Sequence, residues 1–277
     1  MKPFFALALA AASTAASAQT PATNPMPDGS RDMYAGLGVV SRPRYEGADN
    51  HKVSALPLLQ VQWSNGLFIS GMSAGMHLSN RPTVEYGPLL TIHPNRDESG
   101  SGQIVDGVGI NVGPVTAMRA QNRLVGMEDV STRLEGGAFF NYYLAPEWRL
   151  TSSLLYGAGN NRHGARVDLG LQRLALQVGA HHRVSVSAGL SFANADYNAA
   201  FFGVDEFDSL RSGKPVYRPG SGLKDGHLGL RWNWDLTPSW MLTTNLQVKR
   251  LAGDARRSPL VERPTNTAVS AAFAYRF

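Results

Sequence analysis

The chain has 277 residues, no cysteine and a formal charge of +5 at neutral pH. Without cysteine there is no disulfide framework, no thiolate metal site and no cysteine nucleophile. The mild positive balance contains no long Lys/Arg run, and Arg256-Arg257 is only a pair that reads as a solvated loop, so no nucleic-acid partner is expected.

The N-terminus reads as an export signal. Lys2 supplies a minimal positive n-region, Phe4–Ala12 a short apolar run, and Ala16-Ser17-Ala18 a small-x-small cleavage site. Residues 1–18 are therefore expected to be removed, leaving a mature chain that begins at Gln19. The apolar run is too short to span a bilayer as a helix. Thr20–Arg31 is rich in Pro, Thr, Asn and Gly, so residues 19–32 are expected to form a flexible lead-in. Beyond the signal no run of about eighteen apolar residues occurs, which excludes helical membrane spans.

The rest of the chain carries a series of alternating segments. In Val184–Phe192 the apolar set is Val184, Val186, Ala188, Leu190 and Phe192, opposed by Ser185, Ser187, Gly189 and Ser191. In Leu228–Leu236, Leu228, Leu230, Trp232, Trp234 and Leu236 oppose Gly229, Arg231, Asn233 and Asp235. In Trp240–Val248, Trp240, Leu242, Thr244, Leu246 and Val248 oppose Met241, Thr243, Asn245 and Gln247, with Lys249 continuing the second set. The last thirteen residues place Thr267, Val269, Ala271, Phe273, Tyr275 and Phe277 on one face and Ala268, Ser270, Ala272, Ala274 and Arg276 on the other. Strand side chains alternate between faces. A barrel in lipid turns the apolar set outward and fills its lumen with the small and polar set. A soluble sandwich would keep large apolar residues on its inner face. In Val167–Val178 the apolar phase shifts near Arg173, which suits a β-bulge or a strand leaving the membrane.

Short turns are expected at Ser64-Asn65-Gly66, Ala145-Pro146-Glu147, Gly179–Arg183 and Thr237-Pro238-Ser239. Longer polar connections fall at Arg42–Lys52, Gly159–Gly164, Ala195–Gly222 and Ala252–Thr265. Short periplasmic turns alternating with long external loops is the outer-membrane arrangement. With both termini periplasmic, an even number of strands must lie between successive short turns. Strands are expected near Met33–Ser41, Val53–Trp63, Leu67–Leu78, Val84–His93, Val130–Leu144, 148–158, 165–178, 183–194, 224–236, 239–251 and 266–277. Parity then requires a twelfth, for which Ile104–Met118 is the candidate. If 84–120 is instead loop, the count is ten. The predicted fold is all-β: a transmembrane antiparallel up-and-down barrel over 33–277, with twelve strands, or ten as the alternative. Trp232, Trp234, Trp240, Tyr142, Tyr156 and Tyr275 are candidates for interfacial girdles, with Trp234 and Trp240 at the periplasmic rim.

Several stretches resemble the MipA/OmpV family of outer-membrane proteins. Gly36-Leu37-Gly38 followed by Arg42-Pro43-Arg44-Tyr45-Glu46-Gly47 resembles its opening, and Asn95-Arg96-Asp97-Glu98 its Arg-Asp segment. Gly126–Val130, Ala200–Val204, Leu251–Ala255 with Ser258–Val261, and Phe273–Phe277 resemble later segments in the same order. Glu128 stands where the family usually has Gly, and Phe201 where it often has Tyr; Asn111–Arg123 has no counterpart. The resemblance implies residence in the outer membrane of a Gram-negative bacterium, surrounded by its lipid and lipopolysaccharide. It implies a scaffolding role between a murein-degrading lytic transglycosylase and a murein synthase. It also implies that the barrel-assembly machinery recognises the C-terminal strand ending at Phe277.

No catalytic, cofactor-binding or metal-ligating residues are assigned, and no cofactor is expected. His181-His182-Arg183-Val184-Ser185 is the nearest approach to a hydrolase pair, but His182 and Ser185 fall on opposite strand faces. His163 with Arg166 and Asp168 reads as solvated loop charge. Asp205, Glu206 and Asp208 read as an acidic loop lacking the calcium-loop spacing. Gly107-Val108-Gly109 lacks the third glycine of a nucleotide loop. Three functions remain open: a scaffolding barrel; a small passive channel lined, or plugged, by Arg231, Asn233, Asp235, Asn245, Lys249 and Arg276; and a lipid-modifying barrel enzyme.

Overall fold

The structure is a computed structural model that describes residues 26–98, 100–101 and 123–277. The expected signal segment 1–18 and the strand candidate Ile104–Met118 lie outside the described residues. The described strands are β1 (Tyr34–Pro43), β2 (His51–Gln62), β3 (Leu67–Ser70), β4 (Ser73–Met76), β5 (Val84–His93), β6 (Arg96–Asp97), β7 (Gly100–Ser101), β8 (Arg133–Ala145), β9 (Trp148–Ala158), β10 (Gly164–Val178), β11 (His182–Ala193), β12 (Gly222–Asp235), β13 (Trp240–Leu251) and β14 (Thr265–Arg276). Among the described residues, three short helices lie in the long loops: α1 (Ala195–Phe202), α2 (Glu206–Ser212) and α3 (Gly253–Arg257).

Alternation decides which way each residue points. In β14, Val269, Phe273 and Tyr275 are exposed on the outer surface, while Asn266, Ala268, Ser270, Ala272 and Ala274 are buried inside. In β12, Leu228, Leu230 and Trp234 face out, and Arg231 and Asn233 face in and are buried. Twelve strands close an antiparallel barrel in the order β1-β14-β13-β12-β11-β10-β9-β8-β5-β4-β3-β2, with β6 and β7 as a separate hairpin. The seam joins first strand to last, from Tyr34↔Arg276 to Ser41↔Val269. Gly36 and Gly38 permit that approach: a Cβ on Gly38 would collide with the Ala271 carbonyl and the Ala272 methyl.

The count of twelve agrees with expectation, but one strand is supplied differently. Leu67–Leu78, expected as a single strand, is a hairpin of β3 and β4. The chain turns at Gly71-Met72, where Gly71 has φ +57°, a conformation in which a Cβ is strained. Val84–His93 pairs directly with Arg133–Ala145, from Val84↔Tyr142 to His93↔Arg133. The barrel therefore closes with no strand between them, and the Ile104–Met118 assignment is not needed for parity.

Because β3 is so short, it pairs only with Gln60–Gln62 of β2, and the last rung is the Gly71 N–H donating to Leu59 O at 2.9 Å. Above it, His51–Leu58 pairs with β1 alone among the described strands. Leu59 and Trp63 turn their backbone groups toward β3. Pro57 shares that parity, so its missing N–H falls on the unpaired side, where a proline costs no rung.

The phase shift near Arg173 is a bulge: the β10–β11 register slips between Arg173 and Leu176. It returns Leu176 and Val178 to the outer face shared by Leu169 and Leu171. Trp234 and Trp240 flank the β12–β13 turn. Trp240 stacks on Phe273 with centroids 4.6 Å apart and meets Tyr275 edge-on at 5.1 Å, which builds a girdle at the periplasmic rim.

Candidate functional site

The lumen is closed at its periplasmic end by the chain's own lead-in. Residues 26–32 lie inside the barrel, with Met26, Asp28, Gly29 and Ser30 buried. Asp28 accepts hydrogen bonds from the Ser30 N–H at 2.9 Å, the Gln60 amide at 3.0 Å and the Tyr34 hydroxyl at 3.1 Å. It also pairs with Arg231 at 2.9 Å. Asp32 pairs with Arg183 at 2.6 Å and Arg276 at 3.3 Å. Asp235 faces the same two guanidiniums, 3.0 Å from Arg183 and in an ion pair with Arg276. Arg149, fully buried, donates to the Pro27 carbonyl at 3.2 Å and to Gln172 at 2.6 Å. Its other arm meets Glu85 at 3.3 Å, which also accepts from Tyr143 and Asn141. Charges removed from water need such partners.

The residues expected to line the lumen do so, and each is paired. Arg231 donates to Asn245 at 2.6 Å, and Thr243 donates to Asn233 at 2.7 Å. Lys249 pairs with Glu46 at 2.7 Å.

The external end is covered by the long loops, which fold into a cap with its own apolar core. Tyr45, Leu124, Met127, Val204 and Leu260 pack in one cluster; Tyr197, Phe202, Leu251 and Ala255 pack in another. Buried Arg96 ties the β5–β8 connection to the β11–β12 loop, donating to Phe201 O at 3.0 Å and Glu128 O at 2.9 Å while its backbone bridges Val130. Ser258 donates to Phe202 O at 2.6 Å and Tyr45 to Leu260 O at 3.1 Å. Asn266 accepts from the Gly47 N–H at 2.7 Å. The loop stretches that carried the family resemblance thus meet one another here, although they are far apart in sequence. Glu128, one of the departures, takes part through its backbone: its N–H donates to Asp208 at 2.8 Å and its carbonyl accepts from Arg96.

Beneath the cap, Glu46 lies between Lys224 at 3.1 Å and Lys249 at 2.7 Å, and Asp225 lies 2.8 Å from Lys224. Burial would raise the Glu46 pKa, but the two ammonium groups outweigh it and lower it to about 2. In α1, Tyr197 lies against this cluster: Lys224 sits 5.5 Å over its ring, and its hydroxyl is 3.1 Å from His93 Nε2. Burial raises the Tyr197 pKa, so the hydroxyl stays protonated.

The residues weighed for chemistry have other occupations. His182 accepts from the Trp232 indole at 3.2 Å on the outer face, whereas Ser185 is buried in the lumen. Arg166 and Asp168 form a lumen ion pair at 3.0 Å, and His163 stays in an exposed loop. Asp205 caps α2 by accepting the Asp208 N–H at 2.7 Å, Asp208 is held by Arg211 at 2.6 Å, and Glu206 pairs with Arg218. Gly107-Val108-Gly109 lies outside the described residues.

Sequence reasoning missed the plug anchors Asp28 and Asp32. The signal was faint: two acids with Arg31 between them, just ahead of β1, facing three arginines in the periplasmic third of the lumen. It also missed Glu85 and Arg149, which look like ordinary alternate polar positions until β5 and β9 are brought to one interior.

The family model described as MltA-interacting protein MipA matches residues 35–277. Omp26La, an outer membrane protein of Vibrio anguillarum, is 31% identical over 90 residues, covering 32% of this chain and 34% of its own length. OmpV of Vibrio cholerae serotype O1 is 30% identical over 90 residues with the same coverage. The match thus spans about a third of these relatives. Among solved structures, the KdgM porin superposes at TM-score 0.43 with 7% identity, covering 88% of this chain and 98% of that one. An outer membrane channel from Pseudomonas putida F1 gives 0.41 with 11% identity, covering 92% and 99%. Likeness at this level says nothing of cargo. The family match over nearly the whole barrel, joined to a twelve-stranded wall with lipid-facing girdles, establishes that the chain belongs to the MipA/OmpV family of outer-membrane proteins.

Proposed function

We propose that this barrel acts as a closed scaffold that presents its periplasmic turns to murein-remodelling enzymes, a lytic transglycosylase and a murein synthase, and that it is not itself an enzyme. The observation that carries this reading is the double closure of the lumen, by Met26–Asp32 below and the loop cap above, with the lumen charges satisfied within the chain. A barrel so filled offers its turns and its cap, rather than its bore, to other molecules. The description of the matching family, an MltA-interacting protein, supports the choice of partner. The longest periplasmic connection is 77–83, with Asn80, Arg81, Pro82 and Thr83 exposed, and it is the segment assigned to contact the enzymes. Pull-down from solubilised outer membranes is expected to recover a lytic transglycosylase or a murein synthase, and replacement of 79–83 by Gly and Ser to lose it. Recovery of neither enzyme would overturn the reading, as would steady conductance of the intact protein in planar bilayers.

A further inference from the structure

Between plug and cap lies a cavity of about 240 Å³. The lead-in contributes Pro27 to its wall, the 77–83 connection contributes His77, and strands β3, β4, β5, β8, β9, β10, β11 and β12 supply the rest. We propose that this cavity is a binding site for a neutral polyhydroxylated molecule of about one sugar ring.

The first observation is the state of the polar groups. The charged side chains that reach the cavity are already matched: Arg149 by Glu85 at 3.3 Å, and Asp168 by Arg166 at 3.0 Å and the Ser191 hydroxyl at 2.6 Å. A charged ligand would enter with no counter-charge left to meet it, which is costly away from bulk water. What remains uncommitted is neutral. The hydroxyls of Thr151 and Ser187 line the cavity and make no hydrogen bond to described residues. His77 is only 8% exposed, lines the same cavity, and has no hydrogen-bond partner at either ring nitrogen among the described residues. A neutral imidazole offers one donor and one acceptor, and each hydroxyl offers both. A buried donor or acceptor left unmade is unfavourable, so these groups favour a ligand that can supply several hydroxyls at once.

The second observation is the apolar side. Phe68 and Phe139 meet edge to face at 5.7 Å, and His77 sits against both, 4.9 Å from Phe68 and 5.3 Å from Phe139. This ring cluster gives the cavity one apolar face opposite a wall of hydroxyls. A sugar ring has that division, with C–H groups on its faces and hydroxyls around its edge. The volume lies just below the ~300 Å³ of the smallest ordinary ligand pockets, which limits the occupant to about one ring.

The test refolds the full chain in the presence of each probe, so that entry does not depend on the plug moving. Glucose and N-acetylglucosamine are the neutral probes; glucuronate and glucosamine are the charged ones. Calorimetry is expected to show saturable binding of a neutral probe, with both charged probes at least tenfold weaker. The same probe should shift the His77 imidazole ¹⁵N resonances. His77→Phe should weaken binding at least tenfold, while His77→Gln, which keeps a donor and an acceptor, retains most of it. Absence of saturable binding by either neutral probe would overturn the proposal. So would equal binding of the charged probes, or an unmoved His77 resonance in a folded, probe-saturated protein.

Discussion

Removing Asp28 tests whether the lead-in is a seated plug. Asp28 is buried, pairs with Arg231 at 2.9 Å and accepts from Ser30, Tyr34 and Gln60. Asp28→Ala deletes all of these at once and leaves Arg231, 4% exposed, without that carboxylate. Breaking one side of a buried pair costs about 3–5 kcal/mol. The barrel strands keep their ladders, so the loss should fall on segment 26–32 and not on the global fold. At about 1.4 kcal/mol per tenfold, the open population of the segment should rise by roughly two to nearly four orders of magnitude. Hydrogen exchange of the refolded protein reads this at the Gly29 and Ser30 amides, whose protons go to Met26 O and Asp28. The strand amides should be unchanged. Asp28→Ala combined with Arg231→Met should recover part of the protection, since the stranded charge is then gone. Unchanged exchange at Gly29 and Ser30 in the single variant would refute the plug. A double variant as exposed as the single one would refute the assignment of the cost to Arg231.

Gly38→Val places a side chain against the Ala271 carbonyl at the seam. It should destabilise the barrel by about 1–3 kcal/mol, read as a lower urea midpoint and loss of the heat-modifiable band on gels. Arg96→Ala removes two charge-assisted hydrogen bonds to loop carbonyls, at about 1.5–3 kcal/mol each. It should make the cap loops sensitive to protease while leaving the strands intact. Glu46 has a pKa lowered to about 2 in the folded cap against 4.5 for the free side chain. Its stabilisation is therefore complete above pH 4.5 and is lost as the pH falls toward 2. Protease resistance of the cap should decline across that window, and Lys224→Met with Lys249→Met, which leaves burial to raise the Glu46 pKa, should abolish the decline.

The wall of the barrel was legible because alternation is a local property. Val186, Leu228, Leu246 and Phe273 face out, and Ser185, Gly229, Asn245 and Ala272 face in, whatever their neighbours do. The error in the wall arose at a two-residue turn, across which the outward set changes from Leu67 and Ile69 to Ala74 and Met76. Leu67–Leu78 reads as one strand because Gly71 fits either a strand or a turn; Ser70-Gly71 and the change of apolar parity after it were the local hints. The rule that short connections are periplasmic also fails there, since Gly71-Met72 is as short as Pro146-Glu147 and lies on the external side. The closures were not legible, because they depend on pairs such as Asp28 with Arg231 and Ser258 with Phe202, about 200 and 56 positions apart. Loop motifs gave identities without geometry, and the His77 cavity exists only once eight strands surround it.

The plug also sets an order of events. Asp32, among the first described residues, is held by Arg276, the second-last residue of the chain, and the Phe277 N–H donates to Met33 O at 3.2 Å. Arg231 and Arg183, its other anchors, lie on strands in the second half of the barrel. The segment therefore cannot complete its ion pairs until β14 is in place. Its burial works as a completion mark: a barrel whose lead-in has become fully resistant to protease has already placed β14 beside β1.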